Sequence, residues 1–309
     1  MRHFLRDDDL TPDEQTEVLE LAVRLKADRF AARPLEGPKA VAVLLDKPTL
    51  RTQVSFATGI AELGGYPMLV DGNLAKIGVR ESIADTARVL GRQVAAVVWR
   101  TFDQSRIEEM AAHVGVPVVN ALTDQFHPCQ VLADLLTVAE HSGGVGALSG
   151  RTLAYLGDGA NNMAHSYLLG GATAGLQVRI ACPAQRVPDP TIVADAEAIA
   201  ARTGGSVTVT RDAAAALAGA DAVAVDTWVS MGDHTSTEEA ERLFAPYRLD
   251  QSLLDVAGGD AVVLHCLPAY RGMEVTAEVL DGPQSVIFDE AENRLHAQKA
   301  LLVWLLERS

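Results

Sequence analysis

The chain is poor in cysteine and in positive charge. Its three cysteines, Cys129, Cys182 and Cys266, are an odd number without paired spacing, which argues against a disulfide framework and against a zinc site. Lys and Arg number 26 against 41 Asp and Glu, giving a formal net charge of −15. So acidic a chain is a poor partner for a nucleic-acid backbone or an anionic membrane surface. We therefore expect no zinc site, and no nucleic acid or membrane among its partners.

Long apolar runs and internal repeats are also missing. No run approaches the roughly 20 apolar residues that cross a bilayer, and the opening MRHFLRDDD turns acidic where a signal peptide would be apolar. These features predict a cytoplasmic location. A chain of 309 residues, 48% of them hydrophobic, is long enough for two buried cores and for an enzyme.

Strand and helix patterns alternate along the sequence. Thr11-Pro12-Asp13-Glu14 is predicted to be a capping box, and helices are expected at about 128–140 and 291–308. Strands separated by helices favour right-handed crossovers and parallel sheets. We predict an α/β fold with two doubly wound domains, each with a largely parallel sheet flanked by helices. The strands are expected near 40–45, 67–70, 95–99, 116–119, 152–156, 177–181, 207–210, 222–226, 261–265 and 286–288.

A glycine-rich stretch, Ser142 to Gly146, is a plausible junction between the domains. It suggests a first domain over residues 1–146 and a second over 147–290. A last helix within 291–309 is expected to pack back on the first domain.

In the first half, polar and cationic side chains follow the predicted strands. Thr49-Leu50-Arg51-Thr52 opens a helical pattern, Arg100 ends an apolar run, and His127 and Gln130 open another helix. Because ligands of open α/β sheets bind outside the carboxyl ends of strands, these residues suggest a local anion site. The alternative is that Arg51 is an ordinary helix-surface arginine and that His127 is a capping or core histidine.

In the second half, Val262 to Ala269 places a histidine, a thiol and an X-Pro bond at a strand end. The alternative is a buried strand end with a core-facing cysteine. Leu156 to Met163 is similar to a dinucleotide-binding motif, but Asn162 replaces its third glycine and no ribose-binding acid follows the next strand. Adjacent amides suit a small polar substrate, and a structural turn is the alternative.

Asp226 follows the apolar run Ala222 to Val225. A carboxylate at this position is either part of a site or a helix cap or turn residue. No strong helical pattern follows at once, so the segment up to Asp250 is interpreted as a mobile loop that closes over a ligand.

Taken in order, these motifs resemble those of the aspartate/ornithine carbamoyltransferase family across nearly the whole chain. Single matches of this kind are weak, but seven in order are specific. The HCLP and SMG elements resemble the ornithine-using members and differ from the aspartate-using ones. The matching motifs are Thr49-Leu50-Arg51-Thr52-Gln53, Trp99-Arg100-Thr101, His127-Pro128-Cys129-Gln130, Asn161-Asn162-Met163, Asp226 with Ser230-Met231-Gly232, His265-Cys266-Leu267-Pro268 and Glu292-Asn293-Arg294.

The resemblance implies transfer of a carbamoyl group from carbamoyl phosphate to the δ-amine of L-ornithine, in arginine biosynthesis and without a metal or organic cofactor. It implies that Arg100, His127, Gln130 and Cys266 are catalytic and that Asn162, Asp226, Ser230 and Met231 bind ornithine. The residues implied for carbamoyl phosphate are Thr49, Leu50, Arg51, Thr52, Arg100, His127, Gln130, Cys266, Leu267 and Arg294, with Lys76 and Arg80 reaching from a neighbouring subunit of a homotrimer or an assembly of trimers.

Some positions depart from the family pattern. Lys76 stands where a glutamine is usual, Gln53 replaces a common arginine, and Tyr270 stands where His or Phe is frequent. A solvated charged face is the alternative for Lys76 and Arg80. The alternative functions are the catabolic direction of the same reaction, a related carbamoyltransferase acting on putrescine, N-acylated ornithine or aspartate, and a catalytically silent homologue.

Overall fold

A computed structural model describes residues 1–229 and 236–309, without the side chains of residues 73 and 74. Ser230 and Met231, two of the expected ornithine-binding residues, lie outside the described residues. The chain divides into two compact units, one of residues 1–136 with 292–309 and one of residues 137–291. The limits 1–146, 147–290 and 291–309 stay a prediction.

Strands and helices alternate as expected. The strands are β1 (Ala40–Leu45), β2 (Tyr66–Asp71), β3 (Ala96–Arg100), β4 (Val118–Leu122), β5 (Thr152–Leu156), β6 (Gln177–Ala181), β7 (Ser206–Thr210), β8 (Ala222–Val225) and β9 (Val262–His265). The helices are α1 (Pro12–Ala27), α2 (Arg51–Glu62), α3 (Gly72–Ala75), α4 (Ile83–Leu90), α5 (Gln104–Val114), α6 (Pro128–Ser142), α7 (Asn162–Thr173), α8 (Pro190–Thr203), α9 (Ala213–Leu217), α10 (Thr237–Phe244), α11 (Gln251–Ala257), α12 (Ala277–Leu280) and α13 (Ile287–Glu307).

Each unit contains one parallel sheet, which confirms the predicted fold class. The first sheet has the order β2-β1-β3-β4 and the second the order β7-β6-β5-β8-β9, and the paired strands are parallel. Strands β1, β3, β5 and β8, which all lie inside a sheet, are largely apolar and almost wholly buried, because helices cover both faces of such sheets. The edge strands β2 and β7 are largely exposed.

The strand orders create a crevice in each sheet. The direction of winding reverses between β1 and β3 in the first sheet and between β5 and β8 in the second. Loops diverge at these switch points, so ligands bind outside the carboxyl ends of the strands there. Most of the motif residues follow one of these four strands.

The predicted capping box is confirmed. The Thr11 hydroxyl accepts a hydrogen bond from the Glu14 N–H at 3.3 Å, and the Glu14 carboxylate accepts one from the Thr11 N–H at 2.9 Å. None of the described helices is long and apolar enough to span a membrane.

The strand predicted at 286–288 is wrong. Val286 does donate its N–H to the carbonyl of Val263 at 3.0 Å, but α13 begins at Ile287. A three-residue apolar run cannot be told from the start of a helix by periodicity. Asp289 and Glu290 in the first turn favour the helix, since acidic side chains there interact well with its dipole.

The loop predicted from Thr227 to Asp250 is wrong over its second part. Residues 237–244 form α10, whose cap Ser236 accepts a hydrogen bond from the Glu239 N–H at 3.2 Å. Ala240 and Phe244, four residues apart, cluster with Trp228. This apolar contact stabilises a helix that the mixed local sequence did not reveal.

Candidate active site

The first group of motif residues lies at the switch point of the first sheet. After β1, the chain reaches α2, whose N-cap position, Leu50, makes no side-chain cap. The first N–H groups of a helix lack intrahelical partners and carry partial positive charge, which favours an anion. Thr49 and Arg51 are half-buried beside this helix start, and Thr52 is buried.

Two further residues of the predicted anion site, Arg100 and His127, lie there together with Arg294, which the resemblance implied for carbamoyl phosphate. Arg100 ends β3, His127 directly precedes α6, and Arg294 lies on α13; all three are buried. The Arg294 guanidinium donates to the Thr52 hydroxyl at 3.2 Å. The structure therefore brings residues distant in sequence into one cation-rich cluster.

The protonation state of His127 is set by its burial and by the arginines near it. Burial, followed by the positive charges of Arg294, Arg100 and Arg51, holds the pKa of His127 well below its usual range. The imidazole is therefore neutral near pH 7. A neutral ring can still donate a hydrogen bond to a carbonyl oxygen without adding a further buried positive charge.

Gln130, in the first turn of α6, is wholly buried. Its side-chain Nε2 donates to the Asp134 carboxylate at 2.8 Å. Because a carboxylate only accepts, this bond sets which end of the amide faces Asp134.

A buried carboxylate that the sequence did not single out joins β1 to β3. Asp46 Oδ2 accepts hydrogen bonds from Trp99 Nε1 at 3.1 Å, from the Thr101 hydroxyl at 2.6 Å and from the Arg106 guanidinium at 3.4 Å. Its position directly after a buried strand was the available signal. The network links the end of β1, from which the chain continues to Arg51, to the end of β3, where Arg100 lies.

Lys76 and Arg80 are exposed on the segment between β2 and α4. Lys76 has a φ of 48°, which is uncommon for a residue with a side chain. Ser82 caps α4 by accepting a hydrogen bond from the Asp85 N–H at 3.0 Å. The exposure fits either a solvated face or a reach to another subunit.

The second group of motif residues lies at the switch point of the second sheet. Asn161 is the N-cap of α7, and Asn162 is the first residue of that helix and half-buried. Asp226 follows β8 and is buried. The Cys266 thiol, after β9, donates to Asp226 Oδ1 at 3.2 Å.

Asp226 is the charged centre of this second group. Its Oδ1 also accepts the Thr227 N–H at 2.8 Å, and its Oδ2 accepts a hydrogen bond from Asn161 Nδ2 at 3.4 Å. Burial raises the pKa of Asp226, while the hydrogen bonds from the Cys266 thiol and the Thr227 N–H act in the opposite direction. A bound cation would offset the cost of burying this carboxylate.

The backbone after β9 is held by His265. Its Nδ1 accepts the Leu267 N–H at 2.9 Å, and its Nε2 lies 3.1 Å from Glu274 Oε1. Since Nδ1 accepts, Nε2 carries the proton and donates to Glu274. Leu267 has a φ of 57°, a left-handed conformation that the surroundings must hold in place.

Two buried acids complete this arrangement. Glu274 also accepts the Tyr270 N–H at 2.6 Å, and Glu290 accepts the His265 N–H at 2.7 Å.

Potential ligand atoms of Asp226, His265 and Cys266 lie within 4.8 Å of one another. Both ring nitrogens of His265 are already engaged, however, so these three residues are not an open metal site.

Gly159, after β5, has a packing role. A Cβ at Gly159 would lie 2.7 Å from the Cys182 sulfur and 2.7 Å from the Arg186 carbonyl oxygen. Close approach to the chain after β6 therefore explains the second glycine of the motif that is similar to a dinucleotide-binding one. Asp158 beside it is paired with Arg186.

The three thiols have different environments. Cys129 and Cys182 are buried, whereas Cys266 is half-buried. Burial is the main cause that raises the pKa of Cys129 to about 12 and that of Cys182 to about 11.

The fold and these two groups define a two-domain α/β protein with a ligand crevice in each sheet. Residues 2–140 match the family model of the aspartate/ornithine carbamoyltransferase carbamoyl-P binding domain. Residues 149–305 match that of the aspartate/ornithine carbamoyltransferase Asp/Orn binding domain. The chain belongs to the aspartate/ornithine carbamoyltransferase family, which confirms the resemblance of its motifs.

Individual relatives extend this result. The chain is 60% identical over 308 residues to the ornithine carbamoyltransferase of Leifsonia xyli subsp. xyli, covering 100% of this chain and 98% of that one. It is 62% identical over 310 residues to that of Clavibacter sepedonicus, covering 100% and 99%. The structure of ornithine carbamoyltransferase from Pyrococcus furiosus superposes with a TM-score of 0.94 at 40% identity, covering 99% and 97%. The structure of anabolic ornithine carbamoyltransferase from Campylobacter jejuni superposes with a TM-score of 0.94 at 36% identity, covering 100% of both chains.

Proposed function

We propose that the protein transfers the carbamoyl group of carbamoyl phosphate to the δ-amine of L-ornithine, releasing L-citrulline and phosphate. The proposal depends on the occurrence of a cation-rich cluster after β1 and β3 in the first unit and of a buried carboxylate after β8 in the second unit. The first suits a phosphorylated dianion and the second suits an amino group. Relatives about 60% identical over the full chain carry the name of this activity.

In the proposed reaction, the first unit holds the donor. Thr49, Leu50 and Thr52 bind phosphate with the start of α2, and Arg51 adds charge-assisted hydrogen bonds. Arg100 and the neutral His127 donate to the carbamoyl oxygen, where negative charge develops as the amine adds. Gln130 orients the carbamoyl nitrogen, and Arg294 holds the ligand beside Thr52.

The second unit holds the acceptor. Asn162 and Asp226, with Ser230 and Met231, recognise the α-amino acid end of ornithine. The thiol of Cys266 and the carbonyl of Leu267 lie near the δ-amine and position it. An ammonium ion has no lone pair, so the δ-amine must lose a proton before it attacks.

The bond changes need no cofactor. The neutral δ-nitrogen forms a bond to the carbamoyl carbon, the bond from that carbon to the phosphate oxygen breaks, and phosphate leaves with the electron pair. The nitrogen then loses its second proton, which the departing phosphate accepts, to give the ureido group. Cys266 forms no covalent intermediate in this scheme.

The proposal extends to assembly and setting. The active form is a homotrimer or an assembly of trimers, in which Lys76 and Arg80 reach the carbamoyl phosphate of a neighbouring subunit. The setting is arginine biosynthesis in the cytoplasm.

The test is an assay of citrulline formation from carbamoyl phosphate and ornithine. Aspartate, putrescine and N-acetylornithine serve as competing acceptors under the same conditions. Ornithine should be used with the highest kcat/KM. A higher kcat/KM for another acceptor would contradict the proposal and assign the protein to a different member of the family.

A further inference from the structure

We propose that Tyr155 is a positioning residue for the ornithine site, acting through Asn161 on the carboxylate of Asp226. The inference rests on the proposed function of that site. It concerns two side chains, Tyr155 and Asn161, that have no assigned role in binding or chemistry.

The amide of Asn161 has one possible orientation. Its Oδ1 accepts the Ala164 N–H at 2.9 Å and so caps α7. The Nδ2 group therefore faces the other way, donating to the Tyr155 hydroxyl at 2.8 Å and to Asp226 Oδ2 at 3.4 Å. A backbone N–H can only donate and a carboxylate can only accept, so both ends of the amide are determined by chemistry.

Tyr155 is built into the switch point itself. It is the fourth residue of β5 and has no exposed surface. Its ring packs against Tyr167 with centroids 5.7 Å apart, and its hydroxyl would lie 3.9 Å from a Cβ placed on Gly157. The hydroxyl oxygen that accepts the hydrogen bond from the Asn161 amide is thus held in place by a rigid strand.

The consequence for Asp226 is a fixed carboxylate. Cys266 and Thr227 donate to its Oδ1, while Asn161 donates to its Oδ2. Without the Tyr155 hydroxyl, one N–H of the Asn161 amide loses its acceptor, and the amide can turn away from Asp226. A lost hydrogen bond of this kind corresponds to about a fivefold change in affinity.

The experiment compares Tyr155→Phe with Tyr247→Phe. Tyr247 is a buried tyrosine of the same unit whose hydroxyl donates to the Arg211 carbonyl at 3.1 Å, so this control loses one hydroxyl hydrogen bond elsewhere. We measure kcat and KM for both substrates. We also measure inhibition by L-2-aminopentanoate, which keeps the α-amino acid end of ornithine and lacks the δ-amine, at saturating carbamoyl phosphate.

Tyr155→Phe should raise the KM for ornithine and the inhibition constant of L-2-aminopentanoate about fivefold. The KM for carbamoyl phosphate should stay unchanged, because its expected ligands lie mainly in the first unit. Tyr247→Phe should change none of these values. Identical behaviour of the two variants would overturn the inference.

A second variant tests the route through Asn161. Asn161→Ser keeps an oxygen that can cap α7 but lacks the NH2 group. If Tyr155 acts through that group, adding Tyr155→Phe to Asn161→Ser should cause no further rise in the KM for ornithine. Additive effects would overturn the inference.

The comparison also separates this inference from the proposed function. A folded wild-type protein that makes no citrulline would contradict the function itself. An active wild-type protein whose ornithine KM does not respond to Tyr155→Phe or to Asn161→Ser would overturn only the role of Tyr155. If Tyr155→Phe does not fold, an unchanged ornithine KM in Asn161→Ser would overturn the inference, and a raised one would support it.

Discussion

The two switch points bury charges of opposite sign. At the first, Arg100 and Arg294 surround a histidine that they help to keep neutral. At the second, Asp226 is buried among hydrogen-bond donors, and burial raises its pKa. A buried charge is costly unless it is compensated, so each crevice is suited to a ligand of the opposite charge. The same topology thus serves an anionic donor in one unit and a cationic amino acid in the other.

Removal of the carboxylate should have the largest effect. Breaking one partner of a buried charge pair costs on the order of 2–5 kcal/mol, so Asp226→Ala should lower kcat/KM for ornithine by roughly 30-fold or more. The KM for carbamoyl phosphate should change little. Asp255→Ala, at an exposed aspartate bonded to Gln251, is the control. Use of putrescine as readily as ornithine by the wild-type protein would break the assignment.

Removal of a cation should affect the other crevice. Arg51 is half-buried, so water screens it more than Asp226, and we expect the lower end of the range. Arg51→Ala should reduce turnover by about 30-fold without unfolding the protein. Arg88→Ala, at an exposed arginine paired with Asp85, should be neutral. Activity near that of the wild type in Arg51→Ala would contradict a phosphate-binding role.

The neutral state of His127 in the folded protein should affect how the free energy of unfolding depends on pH. Because its folded pKa lies below the unfolded value of about 6.5, the unfolded state binds more protons and stability falls as pH is lowered through that value. The unfolding free energy of the wild-type protein should decrease between pH 7.5 and pH 5.5. In His127→Asn this decrease should be smaller by about 1 kcal/mol. Urea unfolding at both pH values measures this difference. An equal loss in the variant and the wild-type protein would show that His127 does not titrate in this way.

The smallest expected effect concerns Lys76. Lysine is a point charge whose attraction to phosphate is screened by salt. Lys76→Gln should therefore make the KM for carbamoyl phosphate less sensitive to salt, by about two- to threefold between 0.05 and 0.5 M. An unchanged salt dependence would place Lys76 on a solvated face.

Subunit mixing sharpens the same point. Lys76→Ala and Arg51→Ala, each first shown to be assembled and less active than the wild-type protein, are mixed under conditions of subunit exchange, and the activity of the mixture is compared with the mean of the two parents. A shared site would restore part of the activity, because some interfaces would carry both native residues. If subunits are proven to exchange and activity does not recover, or if Lys76→Ala alone is fully active, Lys76 has no role in a shared site. Such a role would then belong to Arg80 or to neither residue.

Much of the fold could be predicted because central parallel strands are uninterrupted apolar runs. The strands expected at 40–45, 152–156 and 177–181 match the observed strands in both bounds, although Arg179 interrupts the apolar run of the last one. Prediction failed where local pattern was weak. The helix α10 depends on packing of Phe244 near Trp228, and the apolar run at 286–288 was too short to distinguish a strand from the start of α13.

The candidate site was predictable where its residues follow strands. Arg100, Asp226 and Cys266 were found in this way. Glu274, Glu290 and Tyr155 were not singled out, because only tertiary folding brings them to their hydrogen-bond partners. Tyr155 in particular reads as an ordinary core residue of β5, and its hydrogen bond to Asn161 emerges only once the strand end and the helix start are placed in space.

The unequal burial of the thiols gives the protein a built-in chemical reporter. Alkylating reagents attack the thiolate, which burial disfavours at Cys129 and Cys182. Cys266 is half-buried and lies beside Asp226. A single mild reagent should therefore modify one position without any engineered cysteine, and the rate of labelling would follow occupancy of the second crevice directly, independently of turnover.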